Sequence, residues 1–164
     1  MQNQFSFIDF YQKRIRRIFP ALITILTFCL IFGWFFLISE EYKNLSKHVA
    51  GGASFISNYV LWSESGYFDK ASHSKPLLHL WSLGIEEQFY IFFPLFLWIV
   101  WKLKLNLLFL ISILITLSFI LNLLNVIDDP VGTFYSPFTR IWELLAGSML
   151  AYFKIFQYSV TKKL

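Results

Sequence analysis

Residues 76–94 read PLLHLWSLGIEEQFYIFFP, and the run continues as LFLWIVW to Trp101. From Trp81 onward the stretch has the roughly 20 mostly apolar residues that a helix needs to cross a bilayer, although the polar residues EEQ stand at positions 86–88. An ionisable residue costs about 2.5–3.5 kcal/mol at the centre of a membrane helix. The stretch therefore predicts a membrane-spanning helix whose polar residues serve a function or a buried pairing.

The composition of the whole chain agrees with a membrane protein. Of its 164 residues, 57% are hydrophobic and only 15% are charged, and the mean hydropathy is +0.58. An ordinary soluble domain is about 45–50% apolar and about 25% charged, while disordered chains and coiled coils need more polar or charged residues. Those classes are excluded. The net charge of +4 comes from short basic clusters between apolar stretches, which indicates membrane topology rather than nucleic-acid binding.

Four apolar stretches predict an all-α integral membrane fold. The predicted spans are approximately 19–38, 81–101, 105–124 and 141–156. Between the first two spans lies a predicted outer region, 39–80. Within it, residues 45–62 place apolar side chains at helical spacing beside glycine and polar residues, a pattern typical of an interfacial amphipathic helix. Residues 1–164 are interpreted as one partial membrane domain.

Basic residues decide the predicted orientation. If residues 45–62 lie on the surface, nine Lys and Arg residues fall on one side of the membrane and four on the other. The positive-inside rule then predicts four spans with both chain ends in the cytoplasm. If residues 45–62 crossed, Lys102 and Lys104 would instead lie outside. The first apolar stretch is too long for a cleaved signal peptide and lacks a small-residue cleavage site, so it is interpreted as a signal anchor.

One candidate site is a stripe on the second span. At about 100° per residue, His79, Ser82, Glu86 and Tyr90 share a helix face. Imidazole, hydroxyl, carboxylate and phenol on one face can pass a proton or orient a hydroxyl substrate. The alternative is that the glutamates lie at the membrane interface or pair with Arg140 for packing.

A second candidate is the basic stretch FYQKRIRRIFP at 10–20, where Arg14 and Arg17 share a helix face with Lys13 and Arg16 beside them. Guanidinium groups bind phosphate oxygens bidentately. The stretch therefore suits a phosphate-rich cofactor such as an acyl coenzyme A. The competing interpretation is a topogenic signal that also binds anionic headgroups of the membrane lipid.

A third candidate is FTRIWELLAGSMLAY at 138–152, where Arg140 and Glu143 can form an i,i+3 ion pair. The small residues that follow suit close packing of helices. Arg140 could instead hold the carboxylate of Glu86 ionised, and the two interpretations stay open at this point.

The outer loop at 63–76 interleaves aromatic and hydrogen-bonding residues, including His73. Such residues stack on sugars, but they also form the aromatic belt of a membrane interface. Cys and His residues lack metal-ligand spacing and no glycine-rich phosphate loop is present, so no metal is expected.

Together and in this order, four motifs resemble integral-membrane acyltransferase family three, the O-antigen O-acetylase type. The motifs are FYQKRIRRIFPAL (10–22), SNYVLWSESGYFD (57–69), PLLHLWSLGIEEQFYIFFP (76–94) and RIWELLAG (140–147). The HLWSLGIEEQFY element is the most specific of them. The resemblance covers almost the whole chain, whereas the chain corresponds to only a middle part of the family's membrane domain.

The resemblance implies a multi-pass O-acyltransferase of the bacterial inner membrane. Family members move an acyl group, usually acetyl from acetyl coenzyme A, to a hydroxyl of a surface glycan, peptidoglycan, a lipid-linked sugar or a small molecule. Arg14 and Arg17 match the arginines assigned to the acyl coenzyme A side, with Arg16 beside them. Glu86 matches the first carboxylate of the WSL-x-x-E-x-Q-F-Y pattern. The candidate catalytic residues are His79 as base, Glu86 as its orienter, and Tyr90.

One departure from the family pattern bears on activity. The family begins with a helix that carries a basic residue and a histidine thought to be the catalytic base, and nothing before Phe10 supplies one here. A fragment, or one half of a split protein completed by a second polypeptide, is therefore expected. The alternative is a non-catalytic membrane component or an inactive truncated remnant.

Overall fold

The computed structural model describes residues 6–65 and 75–161, with side chains described as far as Lys154. Every regular element within these ranges is an α-helix. The helices are α1 (Phe7–Phe36), α2 (Ser39–Ala53), α3 (Ser57–Glu64), α4 (Leu80–Lys102), α5 (Leu107–Asn125), α6 (Pro130–Tyr135) and α7 (Pro137–Thr161). The predicted all-α fold is confirmed.

Three of these helices, α1, α4 and α5, are long and apolar enough to cross a membrane. The bounds of α4 and α5 agree closely with two predicted spans, whereas α1 begins at Phe7 rather than at residue 19. The last helix, α7, has 25 residues, about 37 Å at 1.5 Å per residue, but it includes Arg140 and Glu143. Whether α7 crosses the membrane stays a prediction.

The helix α1 runs without a break through both the basic stretch and Pro20. Its first turn is capped by Ser6, whose side chain accepts a hydrogen bond from the backbone N–H of Asp9 at 3.3 Å. After the proline, the hydroxyl of Thr24 donates to the Pro20 carbonyl at 2.8 Å. Because helical backbone precedes the apolar stretch, the basic side chains are arranged with helical periodicity.

The amphipathic region predicted at 45–62 is divided between α2 and α3. The division lies at Phe55, whose φ of 57° is left-handed, and the following backbone N–H, that of Ile56, donates back to the carbonyl of Gly51 at 2.9 Å. With 15 and 8 residues, neither helix reaches the roughly 20 residues that a crossing needs. Two short helices therefore stand where one interfacial helix was expected.

The chain forms two compact units, Met1–Gly84 and Ile85–Leu164. The buried core of the first unit is built from leucines of α1, α2 and the turn before α4: Leu22, Leu26, Leu45 and Leu77. Gly84 permits a close approach in this unit, because a Cβ there would lie 3.1 Å from the carbonyl oxygen of Phe55. A larger side chain would have to push the α2–α3 turn away.

The second unit is centred on the packing of α5 against α7. Its buried core comprises Phe89, Ile111 and Leu145. Neutral hydrogen bonds accompany this packing: the Ser118 hydroxyl donates to the carbonyl of Phe138 at 2.7 Å and accepts from the backbone N–H of Trp142 at 3.2 Å. One serine thus bridges a carbonyl and an N–H in the first turns of α7.

Candidate functional site

The stripe predicted on the second span is divided between the two units, because the first unit ends at Gly84 and the second begins at Ile85. In the first unit, His79 is exposed in the turn before α4, and its carbonyl accepts a hydrogen bond from the Ser82 hydroxyl at 3.2 Å. In the second unit, Glu86 is exposed and Tyr90 is half-buried. The imidazole and the carboxylate are therefore both on the surface of their own units.

The neighbouring carboxylate, Glu87, behaves differently from Glu86. The Glu87 residue is only 8% exposed. Burying a carboxylate is costly unless it is hydrogen-bonded or paired, so Glu87 is the more constrained of the two. The sequence pattern selected Glu86 and placed Glu87 off the stripe, so the burial of Glu87 was not anticipated.

The basic stretch occupies the second and third turns of α1. Arg16 and Arg17 are exposed, whereas Arg14 is half-buried with its Nη2 atom inaccessible to solvent. The continuous helix gives Arg14 and Arg17 the predicted i,i+3 spacing. The exposed guanidinium groups are accessible to an anionic ligand or to lipid headgroups.

The predicted pair at the start of α7 is close in space. Nε of Arg140 lies 3.7 Å from Oε1 of Glu143, and the guanidinium carbon lies 4.9 Å from the ring centroid of Phe134. The small-residue face that follows is open at Gly147, where an added Cβ would meet no atom of the described chain within 4 Å. The local ion pair is therefore present, and the alternative in which Arg140 also serves Glu86 stays a prediction.

A charged group that the sequence pattern did not single out lies in the first unit. Nε2 of His48 is 2.7 Å from Oε2 of Glu64, and Nζ of Lys47 is 2.9 Å from Oε1 of the same carboxylate. Nζ of Lys75 is 3.6 Å from Oε2. The His48 side chain is 8% exposed and that of Glu64 is 20% exposed. We call these four residues the His48–Glu64 cluster.

Electrostatics keep Glu64 ionised. Burial raises the pKa of Glu64, but hydrogen bonds from Lys47 and His48, together with their positive charge, lower the pKa by more, so that it lies below its ordinary value of 4.5. A carboxylate that accepts hydrogen bonds from several donors typically has a lowered pKa, because these bonds favour its charged form. Glu64 is therefore an acceptor at neutral pH.

A partly open cleft of about 180 Å³ adjoins this cluster. Its polar lining in the described chain comes from His48, Glu64, Lys75, Glu41 and Asn44, and its apolar lining from Leu37, Leu45 and Pro76. The lining combines hydrogen-bond donors, acceptors and an apolar wall. Such a combination is typical of sites for small ligands.

Sequence reasoning missed the cluster because its members are brought together by the turn between α2 and α3. His48 and Glu64 are 16 residues apart, a spacing with no helical periodicity. The available signal was a histidine on the apolar side of an otherwise polar helix. Of the outer loop predicted at 63–76, residues 66–74, His73 among them, lie outside the described residues, whereas Glu64 at its start is described and belongs to the cluster.

The fold and these side chains define a class: an all-α membrane protein that carries ionisable groups on and beside apolar helices. The sequence model of one family, described as an acyltransferase domain, matches residues 1–164. The chain belongs to this family, integral-membrane acyltransferase family three, as the four motifs predicted. No solved structure is significantly similar to the chain.

Three relatives show how much of a family member the chain represents. An uncharacterised protein of Haemophilus influenzae is 35% identical over 158 residues, which cover 92% of this chain and 64% of that protein. A peptidoglycan O-acetyltransferase of Listeria monocytogenes is 34% identical over 150 residues, 88% of this chain and 24% of the relative. An O-acetyltransferase of Staphylococcus aureus is 30% identical over 160 residues, 92% and 25% respectively. The chain thus spans from about a quarter to just under two thirds of these relatives.

Proposed function

We propose that this chain is part of a membrane-bound O-acyltransferase that transfers an acyl group, most simply acetyl, from acyl coenzyme A to a hydroxyl of a cell-surface glycan. The observation that carries the proposal is the family match over residues 1–164. Two relatives that align with about nine tenths of this chain are O-acetyltransferases by name, and one of them is named for peptidoglycan. The apolar helices α1, α4 and α5 support a place in a membrane, which we propose is the bacterial inner membrane.

The donor side of the proposal rests on the basic stretch of α1. Arg16 and Arg17 are exposed and Arg14 is half-buried within the same few turns. Guanidinium groups pair bidentately with phosphate oxygens, and coenzyme A carries phosphate groups. The positive-inside rule assigns this end of α1 to the cytoplasm, where acyl coenzyme A would be available.

On the acceptor side, we assign His79 as the base, Glu86 as the residue that orients His79, and Tyr90 as a further hydrogen-bonding group. In the reaction, the acceptor oxygen forms a bond to the thioester carbonyl carbon, the carbon–sulfur bond breaks, and coenzyme A leaves as the thiol. The base takes the proton of the acceptor hydroxyl, and a positive group stabilises the developing oxyanion. Acyl ester and free thiol are the products.

A transfer assay tests the proposal. Nanodiscs containing the chain are incubated with radiolabelled acetyl coenzyme A and the trisaccharide of N-acetylglucosamine, and label in the sugar is measured. We expect transfer that is lost in the double variant His79→Ala, Glu86→Gln. Transfer that survives both substitutions would show that the assigned site is wrong.

Donor binding is measured separately, by equilibrium binding of acetyl coenzyme A. We expect Arg14→Ala with Arg17→Ala to weaken binding at least tenfold, while the matched change Lys102→Ala with Lys104→Ala, a second basic pair predicted on the same side, leaves it within about twofold. Equal weakening by both pairs would indicate a diffuse electrostatic effect. Absence of donor binding by the unaltered chain would favour the non-catalytic membrane component instead.

A further inference from the structure

The proposed reaction does not use the cleft beside the His48–Glu64 cluster. The cleft lies within the first unit, in the region 39–80 that the charge pattern assigns to the outer side of the membrane. His48 is among the few buried polar residues of the unit, and its Nε2 is held by Glu64 at 2.7 Å. A histidine fixed through one ring nitrogen has its other nitrogen, Nδ1, left for a ligand.

The chemistry of the lining favours a neutral ligand with several hydroxyls. Two carboxylates, Glu41 and Glu64, line the cleft with the ammonium of Lys75, and Lys47 beside Glu64 balances the second carboxylate, so the cleft has no excess positive charge to select an anion such as phosphate. Carboxylates and the amide of Asn44 accept hydrogen bonds from hydroxyl groups, and Lys75 donates them. The groups match the alternating donors and acceptors of a polyhydroxyl compound.

The volume and the lining of the cleft suit a ligand of one sugar ring. A volume of about 180 Å³ is below the roughly 300–1,000 Å³ that accommodates drug-sized molecules. Leu37, Leu45 and Pro76 supply an apolar wall suited to the C–H face of a sugar ring. Because the cleft is partly open, a chain of sugars could continue out of it.

We propose that this cleft binds one sugar ring of a glycan through hydrogen bonds to Glu41, Asn44, His48 and Glu64. The identification of that glycan as the acceptor rests on the proposed function, whereas the binding of a sugar does not. Glu64 is a positioning residue for His48 as well as an acceptor. The location on the predicted outer side places the site where a surface glycan is present.

Histidine NMR tests the proposal directly. The chain in nanodiscs is labelled with ¹⁵N-histidine and titrated with the trisaccharide of N-acetylglucosamine, and the signal of His48 is assigned by its loss in His48→Gln. We expect the His48 signal to shift with a saturable curve, and the same shift to occur in His79→Ala, where the proposed catalytic base is absent. A His48 signal that does not move at saturating sugar would overturn the proposal.

Two adjacent glutamates provide a matched pair of variants that separates an effect on sugar binding from an effect on folding. Glu40 and Glu41 are both exposed on α2, but only Glu41 lines the cleft. We expect Glu41→Gln to raise the dissociation constant about tenfold, since a hydrogen bond to a charged group is worth about 1.5 kcal/mol or more, and Glu40→Gln to change it less than twofold. Equal effects of the two substitutions would contradict the proposal.

The ligand class and the link to catalysis have separate readouts. Inorganic phosphate should leave the His48 signal in place, and a shift equal to that caused by the sugar would overturn the polyhydroxyl assignment. If the sugar shifts His48 but no acetyl transfer occurs, the proposed function fails and sugar binding stands. If transfer proceeds while Glu41→Gln leaves both KM for the sugar and the His48 shift unaltered, the cleft assignment alone fails.

Discussion

The two units of the molecule stabilise their helix packing with polar contacts of different kinds. In the first unit, charged side chains converge on Glu64 in α3. In the second, the neutral side chains of Ser118 and Asn122 on α5 bond to carbonyls of Phe138 and Thr139 at 2.7 and 3.2 Å.

The lengths of the helices that form the contacts differ in the same way. The helix α5 is one of the three that can cross a bilayer, whereas α2 and α3 are too short. Charged groups are costly at membrane depth, and Ser and Asn bonds are the usual polar contacts between membrane helices. We therefore expect the ionic contacts of α2 and α3 to lie where water or lipid headgroups can solvate the charged groups.

Replacement of Glu64 should have the largest effect, because it removes the charged contacts of the first unit and leaves the neutral contacts of the second unit in place. Glu64→Ala leaves His48, Lys47 and Lys75 without their shared acceptor, and we expect a loss of about 2–3 kcal/mol of local stability. Backbone hydrogen exchange in nanodiscs, followed by mass spectrometry, should show faster exchange in peptides from 39–64 and unaltered exchange in peptides from 107–125. The exposed Glu40→Ala should remain within about 0.5 kcal/mol of the unaltered chain.

Acidification should weaken the same contact without any substitution. Because the pKa of Glu64 is lower in the folded protein than its ordinary value of 4.5, the stabilisation is fully present above pH 4.5 and is lost as the pH falls through the folded-state pKa. The effect is smaller than that of Glu64→Ala, since a protonated carboxyl can still form hydrogen bonds. After correction for intrinsic rates, exchange in 39–64 should accelerate between about pH 6 and about pH 3, while exchange in 107–125 should not.

A variant separates Glu64 from other acid-sensitive groups. In Glu64→Gln the side chain has no carboxyl to titrate, so the difference between the two pH values in 39–64 should largely disappear. Persistence of the full difference would mean that another group, such as Glu41, is responsible.

The neutral contact of the second unit should be weaker. Ser118→Ala removes the hydroxyl that bridges Phe138 and Trp142, and we expect a loss of about 1 kcal/mol, as is typical of hydrogen bonds between membrane helices. Exchange should accelerate in peptides from the start of α7. Thr116→Ala, which removes a hydroxyl bonded within α5 itself at 2.9 Å, is the control and should have almost no effect on α7.

The contrast between the units also shows which features could be predicted from sequence. Hydropathy located α4 and α5 to within two residues at each end, because about 20 consecutive apolar residues have few alternatives to a spanning helix. The division of residues 45–62 could not be anticipated, since the left-handed residue is Phe55 rather than either preceding glycine. The ring of Phe55 packs edge to face on that of Phe19 in α1, with centroids 5.9 Å apart, a contact between residues distant in sequence that helical periodicity does not reveal.

The candidate site was predictable to a lesser degree. The i,i+3 spacings of Arg14 with Arg17 and of Arg140 with Glu143 follow from helical periodicity alone. Periodicity could not distinguish Glu86 from Glu87, because the buried side of α4 depends on which helices pack against it. Of these two glutamates, only Glu87 is buried.

The smallest expected effect concerns a charged contact in the second unit. Arg140 and Glu143 are 3.7 Å apart, and the Glu143 side chain is 49% exposed. A solvated pair gains little, because each charge loses hydration and side-chain freedom in forming it. We expect Glu143→Gln to change the stability of α7 by less than about 0.5 kcal/mol, measured by exchange in peptides from 137–154. A loss of 2 kcal/mol or more, about the size expected for Glu64→Ala, would show that this carboxylate is buried in the assembled protein and would remove the distinction between the two units.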